Sequence, residues 1–177
     1  MALFFSRFVG ALALDAGAYE SVEADRSSAM QSVIVVVAVC ISGGIAALGL
    51  GLTGLAGVVN GAVLSLGAWL TWAAVITTFG TITLPEPQTK ADVAELFRVL
   101  GFAAAPGIFV GLAAMPAAAP WVLSVVAAWM VAAAVMAVRQ ALDYRSTTRA
   151  IAVCAVAWLL TFGVLAAVAL FLGTTVS

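Results

Sequence analysis

Val33-Ile-Val-Val-Val-Ala-Val-Cys40-Ile-Ser-Gly-Gly-Ile-Ala-Ala-Leu-Gly-Leu50 is a run of apolar and small side chains with no charge in it. It is close to the ~20 residues that an α-helix needs to cross the hydrocarbon of a bilayer. The absence of charge extends in both directions, from Ser27 to Pro85, and recurs from Val99 to Val138 and after Arg149. The 7 Lys/Arg and 8 Asp/Glu are confined to the segment up to Arg26, to Glu86–Arg98 and to Arg139–Arg149.

The composition excludes an ordinary soluble domain. Of the 177 residues, 65% are hydrophobic and 8% charged, and the mean hydropathy is +1.22. A water-exposed surface needs roughly 25% charged residues. Inside a bilayer every backbone polar group must be bonded within the protein, so helices or a closed barrel are the available structures. Barrel strands would alternate apolar and polar residues, whereas these runs are continuously apolar. The expected fold is therefore all-α, a polytopic helical bundle with five transmembrane helices. The spans are read at Val33–Leu50, Val58–Phe79, Val99–Met115, Trp121–Val138 and Ile151–Leu172. Gly49–Gly57 forms the first turn, and Pro116 and Pro120 part the third and fourth spans. Thr89-Lys-Ala-Asp92 has capping-box spacing and predicts that the third helix begins before the bilayer. Residues 1–30 make a pre-membrane segment and residues 31–177 the five-span domain.

Orientation follows from parity. Two spans separate each charged segment from the next, so all basic residues fall on one face. The positive-inside rule makes that face cytoplasmic, with the N-terminus inside and the C-terminus outside. Met1–Gly17 has only Phe8–Leu14 as an apolar stretch before Asp15, short for a signal peptide. Phe4, Phe5, Phe8 and Leu12 instead share a helical face, which predicts a short interfacial amphipathic helix.

The spans carry no ionisable side chain, which weighs against proton-coupled transporters, ion pumps and voltage sensors. Polar groups there, such as Asn60, Ser65, Thr71, Ser124 and Thr161, are expected to bond to neighbouring helices or to their own backbone. Gly57, Gly61 and Ser65 recur at every fourth position, as do Gly107 and Gly111, so helices can approach closely on those faces. Pro106 is expected to kink the third span just before that face. With 0 His, and without a serine-histidine pair, HExxH or Gly-x-Gly-Asp motif, no catalytic residue, cofactor or metal site is expected. Cys40 and Cys154 read as small core residues. A net charge of -1 gives no reason to expect nucleic acid.

The polar residues that remain gather at the charged face: Tyr19, Glu20, Glu23 and Asp25 before the first span, Arg98 at the third, and Arg139, Gln140, Asp143, Tyr144 and Arg149 between the last two. One reading is that basic side chains snorkel among solvated acids. The sharper reading is that Glu20 or Glu23 pairs with Arg98, Arg139 or Arg149 and ties the pre-membrane segment to the bundle.

Three stretches carry a family resemblance: the tyrosine-acidic segment at Tyr19, Arg98-Val-Leu-Gly101-Phe102-Ala-Ala-Ala-Pro106, and Ala137-Val-Arg-Gln-Ala-Leu-Asp-Tyr144 continuing through Thr147 and Arg149. In order and placement they resemble the Yip1 family, most nearly its bacterial branch. The resemblance implies a five-span protein of a bacterial inner (plasma) membrane with a cytoplasmic N-terminus. Eukaryotic members of that family associate with prenylated GTPases. This chain departs from their pattern, with Glu20 after Tyr19 in place of Gly-Pro and Phe102 in place of a tyrosine. The expected function is a non-enzymatic scaffold or adaptor acting through the cytoplasmic face, with a cytoplasmic or membrane protein partner or a second copy as its client. The alternative is a transporter, channel or lipid-handling protein for a neutral or lipidic substrate.

Overall fold

The computed structural model describes residues 2–83 and 92–175, and all regular structure within them is helical. Helices α1 (Ala2–Leu12) and α2 (Ala16–Ala24) precede α3 (Ser28–Gly49), α4 (Gly54–Thr78), α5 (Val93–Ala103), α6 (Ala119–Ala141) and α7 (Thr147–Thr175). A π-turn over Phe79–Thr83 extends α4, and a 3₁₀ stretch over Ala105–Ala114 follows α5. Four helices are long and apolar enough to cross a membrane, or five when α5 and the 3₁₀ stretch count as one bent span. The protein is a multi-pass membrane protein.

Local chemistry sets the helix ends. At the end of α3 the amide of Gly51 bonds Leu48 O and that of Leu52 bonds Ala47 O, with Gly51 at φ +88°. Glycine adopts this left-handed conformation without steric penalty, so it closes the helix. The same pattern ends α6 with Asp143 in the left-handed position (φ 52°), the amides of Asp143 and Tyr144 bonding Gln140 O and Arg139 O. Of the expected capping box at the third span, Thr89, Lys90 and Ala91 lie outside the described residues. Asp92 is itself the cap of α5, accepting from the Ala94 amide at 3.1 Å.

The third span differs from a continuous helix. Its two halves bend by 41° at Ala104, immediately before Pro106, whose ring removes a donor and blocks the preceding turn. Beyond the bend, Ser42 of α3 bridges the 3₁₀ backbone. Its Oγ donates to Ile108 O at 2.6 Å and accepts from the Gly111 amide at 2.8 Å. Without such a partner, freed backbone groups in a lipid environment would each be left unsatisfied.

α5 is the centre of the fold. Leu96, Val99, Leu100 and Phe102 are fully buried, and α1, α2, α3, α4 and α6 pack around the helix. Glycines set the closest approaches. A Cβ on Gly61 of α4 would meet Gly44 and Ala47 of α3, one on Gly101 would strike Ser32, and one on Gly111 would meet Ser42. The Gly61 and Gly111 faces therefore meet helices of the same chain. Outward faces, among them Val33, Ile41, Val63, Leu70 and Leu159, remain apolar and exposed. They suit acyl chains, which offer no hydration to lose.

The N-terminal segment forms a helical hairpin held against the bundle. Phe4, Phe8 and Leu12 of α1 pack against the core, while Leu3, Phe5 and Val9 are exposed on its other side. The expected apolar face is thus split between protein and surroundings, because α1 is apolar nearly all round. The indole N–H of Trp129 donates to Leu12 O at 2.9 Å. Trp129 lies roughly 15 Å along α6 from Arg139 at a helical rise of 1.5 Å per residue. The hairpin tip therefore extends well down the bundle from its charged end.

Candidate functional site

Two places concentrate polar chemistry: the charged end, where the hairpin docks, and a cavity among the apolar helices.

At the charged end Arg7 is the anchor. It is 5% exposed, and its guanidinium donates to Ser21 Oγ (2.9 Å), Gln31 Oε1 (3.1 Å), Ser21 O (2.9 Å) and Asp25 Oδ2 (2.9 Å). One side chain on α1 thus fastens α2 and α3. Hydrogen bonds from Ser27, followed by Arg7, hold the Asp25 carboxyl down to about 2. The sequence pattern marks Asp25 but not Arg7. The signal available was that Arg7 is the only charge within Met1–Leu14, on a face where an unpaired guanidinium would be costly.

The other residues divide by environment. Tyr19 is fully buried and donates to Ala11 O at 3.3 Å, and burial pushes its phenol up. Glu20 is exposed and accepts from Gln140 Nε2 at 3.0 Å. Arg98, 8% exposed, donates to the main-chain carbonyl of Glu23 at 3.1 Å. The expected pairing of Glu20 or Glu23 with Arg98 or Arg139 does not occur among the described ion pairs; Arg98 meets the Glu23 main chain and Glu20 meets the Gln140 amide. The Glu23 carboxyl is half-buried and lies near that of Glu95. Burial first, then the charges of Glu95, Asp143 and Glu20, push it up to about 7.

Tyr144 is buried and donates to Gly80 O at 2.7 Å, joining the α6–α7 turn to the end of α4. Arg149 is half-buried, its amide bonded to Ser146 Oγ at 3.3 Å. Arg139, Gln140, Asp143 and Tyr144 line a pocket of 260 Å³ beside Ala16 of the hairpin. The Arg139 Nε is buried there without a hydrogen-bond partner.

The second place is an open cavity of 410 Å³ lined by α3, α4, the 3₁₀ stretch, α6 and α7. Its wall is apolar except for Ser65, Thr161 and the indoles of Trp69, Trp72 and Trp158. Ser65 and Thr161 donate to Gly61 O and Ala157 O of their own helices at 2.8 Å each. The three indole N–H groups are buried and bond nothing. Gly43 and Gly107 also line the cavity. Asn60 sits on the exposed face of α4 and Pro106 is buried in the core. Among the described residues, no group of three or more His, Cys, Asp or Glu is placed to hold a metal ion. Cys40 and Cys154 are buried free thiols.

No family model, curated protein or solved structure matches this chain.

Proposed function

We propose that the protein is a non-enzymatic membrane scaffold or adaptor whose working surface is the charged end of the bundle, and that this end faces the cytoplasm. The observation that carries the reading is the fixed attachment of the N-terminal hairpin. Arg7, Arg98 and Trp129 hold it at three separate points. It thereby presents Glu20, with Arg26 after it, at the same end of the bundle as the exposed Asp143 and Arg145 of the α6–α7 turn, a mixed-charge surface. Such a surface recognises a partner by charge complementarity and register more than by apolar burial. The positive-inside rule and the likeness to bacterial Yip1 proteins support the orientation and an inner-membrane location. A protein client or a second copy of the chain is the partner the surface suits.

Proximity labelling from a tag at the charged end tests the reading. The expected result is a reproducible set of partners that Arg7→Met depletes by releasing the hairpin. Recovery of the same set from the released hairpin would count against it. A second reading, binding of a neutral lipidic molecule among the spans, is favoured by the 410 Å³ cavity.

A further inference from the structure

Arg139 differs from the arginines that fasten the hairpin. Arg7 makes four hydrogen bonds, and Arg98 makes one to the Glu23 main chain. Arg139 is half-buried, and among the described residues its guanidinium makes no hydrogen bond or ion pair. Only its Nε is occluded, so both terminal Nη amines stay open. The side chain belongs to the wall of the 260 Å³ pocket at the charged end, and that wall is mostly polar. Asp143 lines the same pocket, yet the two opposite charges do not pair. The left-handed conformation of Asp143 (φ 52°) takes it off the register in which i and i+4 side chains of a helix meet. Gln140 supplies a third group: its Nε2 donates to Glu20, which leaves its Oε1 as an unused acceptor. One small pocket thus offers an unpaired cation together with a carboxylate and an amide oxygen.

We infer that this pocket binds the headgroup of a zwitterionic phospholipid with a primary ammonium, the phosphatidylethanolamine class, its phosphate on Arg139 and its ammonium on Gln140 Oε1 and Asp143. The site goes beyond the scaffold reading and needs no protein client. A ligand of one sign fits it badly. A plain anion would meet the Asp143 carboxylate as well as Arg139, and a plain cation would meet the unpaired guanidinium. A phosphate accepts two parallel N–H bonds from a guanidinium fork. A primary ammonium has three donors and no acceptor, which suits an amide oxygen beside a carboxylate. At roughly 30 Å³ for each water-sized group, 260 Å³ holds about nine of them. A phosphoethanolamine group is of that size.

The place of the pocket selects a lipid over a free metabolite. Arg139 follows directly on the apolar run that ends at Val138, so its head lies where hydrocarbon gives way to water. Lipid phosphates occupy that same boundary zone. On the Arg139 face of α6, at i−4, i−11 and i−14, stand Val135, Ala128 and Val125, of which the last two are exposed. An acyl chain lying along this strip would leave its headgroup at the pocket. Ala16 of the hairpin is part of the wall, so the docked hairpin completes the site.

The test titrates the full-length protein in detergent with phosphatidylethanolamine, phosphatidylcholine and phosphatidylglycerol of identical chains and reads bound lipid by native mass spectrometry. Phosphatidylethanolamine should bind at least about 10-fold tighter than either of the others, because methylation removes the ammonium donors of one and the other has no ammonium. Arg139→Met should weaken it by about 10-fold or more. Asp143→Asn should weaken it by about 3- to 10-fold and leave phosphatidylglycerol binding equal or tighter, which also reports that the variant is folded. If the variants fail to fold, the comparison of the three lipids on the unaltered protein decides. Equal binding of the three lipids overturns the proposal, as does unchanged phosphatidylethanolamine binding by folded Arg139→Met. Glycerophosphoethanolamine, the headgroup without chains, should compete only weakly; an affinity equal to that of the whole lipid overturns the lipid as the ligand.

Discussion

Arg7→Met should detach the N-terminal hairpin while leaving the spans folded. Methionine keeps most of the length and apolar volume and removes the whole guanidinium. Four hydrogen bonds, one of them within the ion pair to Asp25, are lost together. Removing one partner of a fully buried pair costs about 3–5 kcal/mol. The Asp25 side chain is 35% exposed and water can resolvate it, so a value shifted below that range applies, about 2–4 kcal/mol. If the hairpin opens as a unit, amide exchange across α1 and α2 should accelerate by roughly 30- to 1,000-fold. Hydrogen exchange read by mass spectrometry in nanodiscs measures this peptide by peptide. α6 should keep its protection, because it packs against α5, α7 and the 3₁₀ stretch independently of Arg7. Adding Asp25→Asn should recover part of the loss by removing the stranded carboxylate. Unchanged exchange in residues 2–24 would refute the latch. Acceleration spread evenly over every helix would refute its locality, since Arg7 would then be holding the whole fold.

Glu23→Gln should flatten the pH dependence of stability. An acid whose folded value is about 7 against 4.5 unfolded loses stability as pH rises from about 4.5 to about 7, because the unfolded chain gives up its proton first. Taken in full the shift is worth about 3.4 kcal/mol; the half-exposed carboxyl is screened by water, so about 1–2 kcal/mol is expected. Thermal unfolding in detergent at pH 5 and pH 8 should show the native protein weakening and the variant not, and parallel curves for the two proteins would contradict the raised Glu23 value. Gly61→Leu should cost about 1–3 kcal/mol by forcing α4 off Gly44 and Ala47. Gly67→Leu, where a Cβ meets nothing within 4 Å, should stay within about 0.5 kcal/mol of native; equal losses in the two would undercut the close α3–α4 contact.

The apolar runs place the helices within a few residues: Val33–Leu50 lies largely within α3 and Trp121–Val138 within α6. Length and hydropathy suffice there because a helix in lipid has few alternatives. The third span is the exception. Pro106 signals a break, but not the 41° bend, the ten-residue 3₁₀ stretch or its bonds to Ser42, a residue of another helix. The residues at the charged end are visible as a cluster, yet their partners are not. A guanidinium bonds carbonyls as readily as carboxylates, so charge spacing alone could not reveal that Arg98 takes the Glu23 main chain. The cavity left no mark at all. The helices are apolar on every face, so periodicity carries no information about which tryptophans meet.

Polar accounting connects the two sites. Ser65, Thr71, Thr77, Ser124 and Thr161 each bond the carbonyl four residues back, which a short hydroxyl side chain can do alone. Ser42 and Arg98 find backbone on other helices, and Tyr144 finds the π-turn. An indole has neither option: its N–H stands too far from its own helix, so its partner must come from elsewhere. Trp129 obtains one only because the hairpin brings Leu12 O to it. Among the described residues, Trp69, Trp72 and Trp158 find no such partner. The device that satisfies Trp129 also shows what the other three lack, a carbonyl delivered from outside the helix.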